Sequence, residues 1–132
     1  MGNTMPHMSI STREGYAVAH LDDFGDGPGF RKIRAELGVT AFGINAIVLP
    51  PGYTTPAHSH ERQEEVYFVH RGRIAMTFGD GETHVLEEGG LARVDPSTVR
   101  SLQNVGEDEA VYVCAGGAGG YVGRDGVKAD AT

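Results

Sequence analysis

Short apolar segments divided by turn sequences are the feature that most restricts the fold of this chain. Between residues 39 and 116 these segments have about five residues each and recur roughly every 8 to 12 residues, a spacing typical of β-sandwiches and β-barrels. The segment VTAFGINAIVL at 39–49 is rich in β-branched residues and ends at Pro50-Pro51-Gly52. RIAMTF and THVL flank Gly79-Asp80-Gly81, which is a hairpin signal. The pattern predicts an all-β domain.

The composition fits one small domain and argues against several classes of partner. A chain of 132 residues suffices for a single core, and its 20 glycines are spread between apolar runs. Eleven basic and 18 acidic residues give a net charge of −7, so no basic field attracts nucleic acid or an anionic bilayer. The N-terminus lacks the apolar core of a signal peptide, and no apolar run approaches a membrane span. We expect a cytoplasmic protein without nucleic-acid or membrane partners.

We predict three parts along the chain. Residues 1–15 are expected to be a disordered or tag-like N-terminal tail, residues 16–116 a barrel, and residues 117–132 a glycine-rich C-terminal tail in which Tyr121 and Val122 could dock on the barrel. At 30–37, apolar residues at i, i+3 and i+7 precede Gly38, and both a short helix and an edge strand are compatible with this pattern. The single cysteine, Cys114, is predicted to be a small buried hydrophobe.

Candidate metal ligands are grouped between residues 52 and 72, in GYTTPAHSHERQEEVYFVHRG. His58 and His60 are two positions apart, and in an extended strand such residues point to the same face, so both imidazoles can address one point. A carboxylate follows at Glu64 or Glu65. Two imidazoles with one carboxylate are typical of open Zn, Mn or non-haem Fe(II) sites, and we therefore predict a divalent transition metal here.

This stretch resembles the first motif of the cupin superfamily. That motif has a glycine, five residues, His-x-His, three or four residues, a glutamate, six residues and a glycine, and the chain meets it with Gly52, His58, His60, Glu65 and Gly72. The resemblance implies a double-stranded β-helix, or jelly-roll, barrel. It also implies that His58, His60 and Glu65 are the metal ligands, that the metal is one of Mn, Fe, Zn or Ni, and that the protein forms a homodimer.

The second motif of the family is incomplete in this chain. A glycine and a proline have the expected spacing, but the histidine that supplies the fourth ligand is missing. Counting back from Asn104 puts Arg100 at that position, because Arg100, Leu102 and Asn104 then share one strand face. Arginine stays charged and cannot ligate a cation. The fourth ligand implied by the resemblance is therefore predicted to be lost.

Three outcomes are open for Arg100. It pairs with Glu65 and replaces the metal, it leans away from a site of two histidines and one carboxylate, or an anionic substrate bridges it to the metal. We assign Arg100 a catalytic role in stabilising developing negative charge. The predicted substrate pocket consists of Arg100, Tyr67, Asn45 and Asn104. Gln63 and Glu64 are expected to face solvent or the barrel rim.

Two functions from different classes follow from these residues. The first is a metal-dependent cupin that acts on a small anionic or oxygen-rich organic molecule. Its resemblance to family members suggests dioxygenation, decarboxylation, isomerisation or cyclisation, and the fold alone does not choose among them. The second is a metal-free binding or sensor module for a sugar or metabolite, without catalysis, and a salt bridge between Arg100 and Glu65 would favour it. In either case the expected partner is a small molecule.

Overall fold

Antiparallel strands make up most of the computed structural model, which describes residues 10–129. The strands are β1 Ser11–Arg13, β2 Tyr16–Val18, β3 Gly29–Arg31, β4 Gly43–Leu49, β5 His58–His60, β6 Glu64–Arg71, β7 Ile74–Phe78, β8 Thr83–Leu86, β9 Leu91–Val94, β10 Arg100–Asn104, β11 Ala110–Gly117 and β12 Gly126–Lys128. A 3-10 helix at Leu21–Phe24 and one α-helix, α1 at Ile33–Leu37, complete the fold. The predicted all-β class is confirmed.

Two five-stranded sheets form the barrel. One has the strand order β12-β5-β10-β7-β8 and the other the order β3-β4-β11-β6-β9, while β1 and β2 form a separate hairpin. All pairings within the two sheets are antiparallel. Strands that follow one another in sequence often belong to opposite sheets, as in a jelly roll. The predicted double-stranded β-helix is therefore confirmed.

The main core lies between the two sheets. Burial alternates along β6, where Glu65, Tyr67 and Val69 point inward, as expected for a strand with one face in a core. The inner side chains that pack together are Ile47, Leu49, Tyr67, Val69, Ile74, Met76, Val94, Leu102, Ala110 and Tyr112. The predicted shared face of Arg100, Leu102 and Asn104 is confirmed, since all three are buried and their neighbours on β10 are not.

A second cluster covers part of the outer face of the β4 sheet. Ala46, Val48 and Val111 are buried there beneath Leu21 and Ile33. Both structures considered for residues 30–37 occur in succession, because β3 ends at Arg31 and α1 begins at Ile33. Gly38 ends the helix in the left-handed conformation, with φ of 80°. Among the residues described, no helix has the length and apolar character that crossing a membrane requires.

The barrel extends further along the chain than the predicted boundary at residue 116. Strand β12 lies within the stretch predicted as a C-terminal tail, and it pairs with the free edge of β5, placing Gly126 opposite His60 and Lys128 opposite His58. Pairing with a preformed strand edge compensates for the weak intrinsic structure of a glycine-rich segment. In the predicted N-terminal tail, β1 pairs with β2, and residues 1–9 lie outside the described part.

Candidate metal centre and ligand cavity

The three predicted metal ligands lie together inside the barrel. His58 and His60 point to the same side of β5, with their ring centroids 5.1 Å apart. Glu65 faces them from β6 in the opposite sheet. Potential ligand atoms of the three side chains all lie within 4.8 Å of one another. Glu64, the alternative carboxylate, is exposed and pairs with Arg93. The predicted choice of Glu65 over Glu64 therefore agrees with the geometry.

The orientation of His60 is fixed by Asp125, a residue that the sequence analysis did not identify. Nδ1 of His60 lies 2.8 Å from Oδ1 of Asp125. Burial opposes ionisation of Asp125, but hydrogen bonds from Gln63, Arg62 and His60 lower the pKa of its carboxyl group well below the ordinary range. An ionised carboxylate can only accept, so Nδ1 of His60 carries the proton. In the neutral imidazole, Nε2 is therefore the ligand atom, and it faces Glu65.

The hydrogen bonds of Asp125 also hold the loop between β5 and β6. Its Oδ2 accepts from the backbone N–H groups of Arg62 and Gln63, at 2.8 and 2.9 Å. The side-chain amide of Gln63 donates to Oδ1 at 2.6 Å. Gln63 is therefore buried on the cavity wall, and the expectation that it faces solvent or the rim is wrong. An acid in a glycine-rich stretch carries no sequence signal that predicts this role.

Glu65 is held by the two side chains next to it on the inner face. Its Oε1 accepts a hydrogen bond from the Tyr67 hydroxyl at 2.6 Å and one from Nη2 of Arg100 at 2.7 Å. Burial opposes ionisation, but these hydrogen bonds lower the pKa of the Glu65 carboxyl group below its ordinary value. The pairing of Arg100 with Glu65, which is part of one of the three outcomes considered, is present in the structure, while replacement of the metal stays a prediction.

The remaining donors of Arg100 are also used within the protein. The side chain is 0 % exposed; its Nε donates to the Tyr67 hydroxyl at 3.1 Å and its Nη1 to the carbonyl of Thr98 at 2.6 Å. In the described part of the chain, neither Arg100 nor Asn104 belongs to the wall of the cavity. The amide of Asn104 donates to the carbonyls of Leu49 and Asp108. These contacts support the turn after β10.

The donor set fits a divalent cation. Nε2 of His60 and Oε1 of Glu65 lie 3.4 Å apart. Because the proton of a neutral His60 is on Nδ1, these two atoms are both acceptors, and their approach calls for a cation between them, either a second proton or a metal. Burial lowers the pKa of His58, which keeps this imidazole neutral and able to ligate. The positive charge of Arg100 is offset by its contact with Glu65.

A cavity of about 280 Å³ lies directly against the three ligands. Gly116 lies opposite both Gly43 and Glu65, and its missing side chain allows Gln63 and Glu65 to pack closely against β11 on the cavity wall. Asn45 and Tyr67, two of the predicted pocket residues, line this cavity. Cys114 lies between them on β11 and is partly buried, and burial raises the pKa of its thiol, which therefore stays protonated.

Comparison with known proteins agrees with this architecture. The sequence profile described as "Cupin domain" matches residues 46–116, more than half of the chain. An uncharacterized protein of Methanocaldococcus jannaschii is 30% identical over 67 residues, which cover 51% of this chain and 53% of that protein. The chain therefore spans about half the length of this curated relative.

Two solved structures illustrate the similarity of the fold. A Klebsiella pneumoniae protein with a double-stranded beta-helix domain superposes with a TM-score of 0.72 at 18% identity, covering 86% of this chain and 96% of that one. A sugar phosphate isomerase of the cupin superfamily from Silicibacter pomeroyi superposes with a TM-score of 0.61 at 22% identity, covering 66% of this chain and 57% of that one. At these identities the likeness concerns the fold.

Proposed function

This chain belongs to the cupin domain family, and from that premise we propose that it holds one divalent metal and acts on a small anionic or oxygen-rich organic molecule. His58, His60 and Glu65 would be the ligands. The observation that carries the proposal is the convergence of these three side chains on the cavity wall, where their potential ligand atoms all lie within 4.8 Å of one another. Mn, Fe, Zn and Ni all suit this ligand set.

The protein's own side chains would prepare and orient the site. Asp125 keeps the proton of His60 on Nδ1, and Tyr67 and Arg100 hold the Glu65 carboxylate in place. Asn45 offers an amide on the cavity wall that can bind a substrate oxygen. A bound divalent metal would supply Lewis-acid chemistry at a substrate oxygen. We therefore propose that Arg100 positions Glu65, in place of the catalytic role in charge stabilisation that the sequence predicted for it.

For the reaction class we propose a group of reactions and not a single one. An isomerase has the same fold at 22% identity, and isomerase, lyase and oxidoreductase reactions are all compatible with an open metal site in a barrel.

We also propose that the protein forms a homodimer and is located in the cytoplasm. The apolar side chains of Val66, Phe68 and Leu91, exposed on the outer face of β6 and β9, support self-association.

Metal analysis tests the proposal directly. Protein purified without an affinity metal, then loaded with Mn(II) or Zn(II) and dialysed, should contain about one metal ion per chain. The variants H58A and H60A should lose it, whereas H84A, which alters an exposed histidine on β8, should retain it. A metal content well below one per chain after loading, or equal retention by all three variants, would contradict the proposal.

A metal-free binding or sensor module is the second candidate, and one specific observation favours it. The 2.7 Å contact between Arg100 and Glu65 gives the carboxylate a counter-charge without any metal. In that case, small organic ligands should bind the protein equally well in the presence of a metal chelator or of added Mn(II). Binding that requires the metal would exclude this candidate.

A further inference from the structure

A second chamber adjoins the cavity at the metal ligands. It has a volume of about 630 Å³ and shares Phe30, Ile47, His58 and Tyr112 with the smaller one. Aliphatic, aromatic and proline side chains make up most of its remaining wall, including Leu49, Pro50, Tyr53 and Pro56. Its size is within the range of sites for small organic molecules. The site therefore consists of a polar end at the histidines and a larger apolar end.

Two aromatic side chains on this wall are largely exposed. Phe30 pairs with Ile47 across β3 and β4 and so lies on the inner face of the sheet, yet it is 60 % exposed. Tyr53 on the same wall is 48 % exposed. An inward aromatic ring normally buries its surface against other side chains. In the described residues these two leave apolar surface that a ligand could cover.

Two cationic residues lie on the walls of the chambers. Lys128 lines the larger one and lies opposite His58 in the ladder of β5 and β12, so their side chains share a face. Arg124 lines the smaller one. Of the two carboxylates at the metal ligands, Glu65 is paired with Arg100, and Asp125 accepts hydrogen bonds from His60, Gln63 and the backbone. In a chain of net charge −7 this leaves a locally positive site, which favours an anion.

We propose that the ligand is a carboxylic acid with an apolar body, aliphatic or aromatic. The carboxylate would lie at His58, where Arg124 and Lys128 supply positive charge, and the body would cover Phe30, Ile47 and Tyr112 in the larger chamber. This inference rests on the proposed function and names the substrate class of the same site. A sugar, or a polyhydroxylated acid such as gluconate, would place hydroxyl groups against this apolar wall and leave much of its apolar surface without an apolar partner.

Isothermal titration calorimetry with defined probes tests the substrate class. We expect affinity to rise from acetate to hexanoate, by up to about fourfold per methylene group buried. The probe 3-phenylpropanoate should bind at least tenfold more tightly than either the uncharged 3-phenylpropan-1-ol or gluconate. Equal affinity for the acid and the alcohol, tighter binding of gluconate, or absence of binding by all the acids would overturn the proposal.

Matched variants locate the two ends of the site. F30S should weaken binding of 3-phenylpropanoate at least fivefold and leave acetate unchanged, whereas F68S, which changes a phenylalanine on the outer face of the same sheet, should affect neither. K128E should weaken the binding of acetate and of 3-phenylpropanoate at least threefold. K32E makes the same charge change at the other lysine of the chain, which lies outside both chambers, and should leave the binding of both acids unchanged. Loss of a dimer in F30S with unchanged binding of 3-phenylpropanoate would overturn the proposal, because a second copy would then cover the wall.

The outcome can be separated from that of the metal proposal. Failure of the acids to bind a protein that holds one metal per chain would overturn the substrate class alone. Binding of the acids with the predicted preference, in a protein that holds no metal after loading, would contradict the metal proposal while supporting the chemistry of the cavity.

Discussion

Arg100 is a buried cation at a position that faces the metal ligands. Its guanidinium and the Glu65 carboxylate are hydrogen-bonded at 2.7 Å, and the arginine side chain is 0 % exposed. Removing one partner of a buried ion pair leaves an uncompensated charge. We predict that R100M lowers the free energy of unfolding in urea by about 3 to 5 kcal/mol. In R93M, which removes exposed ion pairs with Glu64 and Asp95, the loss should be much smaller.

The same variant tests whether a metal can replace the arginine as counter-charge of Glu65. Added Mn(II) should stabilise R100M more than it stabilises the wild-type protein, because the metal would neutralise the unpaired carboxylate of Glu65 as well as bind the histidines. Equal stabilisation of the two proteins, or a loss in R100M no larger than in R93M, would contradict this account.

Asp125 sets the tautomer of His60 from the other side of the site. In D125N the amide is a weaker acceptor for the proton on Nδ1, so Nε2 is no longer fixed as the lone-pair atom. We expect the affinity for Zn(II), measured by calorimetry at neutral pH, to fall about 10- to 100-fold. D80N, at an exposed turn aspartate, should bind the metal as the wild-type protein does. Unchanged affinity in D125N would show that His60 is oriented by other contacts.

The lowered pKa of Asp125 has a consequence for stability in acid. The unfolded chain takes up a proton near the ordinary pKa of an aspartate, about 4, while the folded protein does not. The contribution of this carboxylate to folding is therefore present above that pH and is lost as the pH falls below it. Urea unfolding between about pH 5 and pH 3 should show a smaller loss of stability in D125N than in the wild-type protein. Equal losses would contradict the lowered pKa.

At the scale of elements, β11 makes room for the site. Gly116 lies opposite Glu65, and a Cβ atom at 116 would be 2.9 Å from the backbone oxygen of Glu64 and 2.6 Å from Oε1 of Gln63. Backbone cannot yield as a flexible side chain can. We predict that G116A destabilises the fold by about 1 to 3 kcal/mol, as overpacking does, and weakens Zn(II) binding in calorimetry. G126A is the control, since its Cβ atom would make an ordinary 3.7 Å contact with His60.

Local elements of the site could be predicted from sequence, whereas its long-range contacts could not. The two-residue periodicity of a strand places His58 and His60 on one face and Arg100 on the inner face of β10, as the structure shows. The contact between His60 and Asp125 joins residues 65 positions apart. It depends on β12 finding the free edge of β5, and a glycine-rich segment of three paired residues carries no periodicity that predicts a partner strand.

The outer surface of the whole molecule is unevenly covered. One part of the outer face of the β4 sheet lies beneath Leu21 and Ile33, but the part formed by β6 and β9 leaves Phe68 38 % exposed and Leu91 63 % exposed. These two residues are paired across the strands, and Val66, which is also exposed, lies two positions from Phe68 on the same face. A patch of this kind on a globular protein is typical of an interface, and a second copy of the same chain is the partner proposed for it.

If the proposed homodimer forms through this patch, L91D should convert it into a monomer in multi-angle light scattering, and a wild-type protein that is itself a monomer would contradict the proposal. A charge at the centre of an apolar interface is desolvated without a partner, which opposes association. Metal content should stay at the wild-type level, because Leu91 points away from the barrel interior. V85D places the same charge at an exposed valine of the other sheet and should leave the mass unchanged. An L91D protein with the mass of a dimer would mean that the two copies associate through another face. A change in V85D instead would identify the sheet of β7 and β8 as that face.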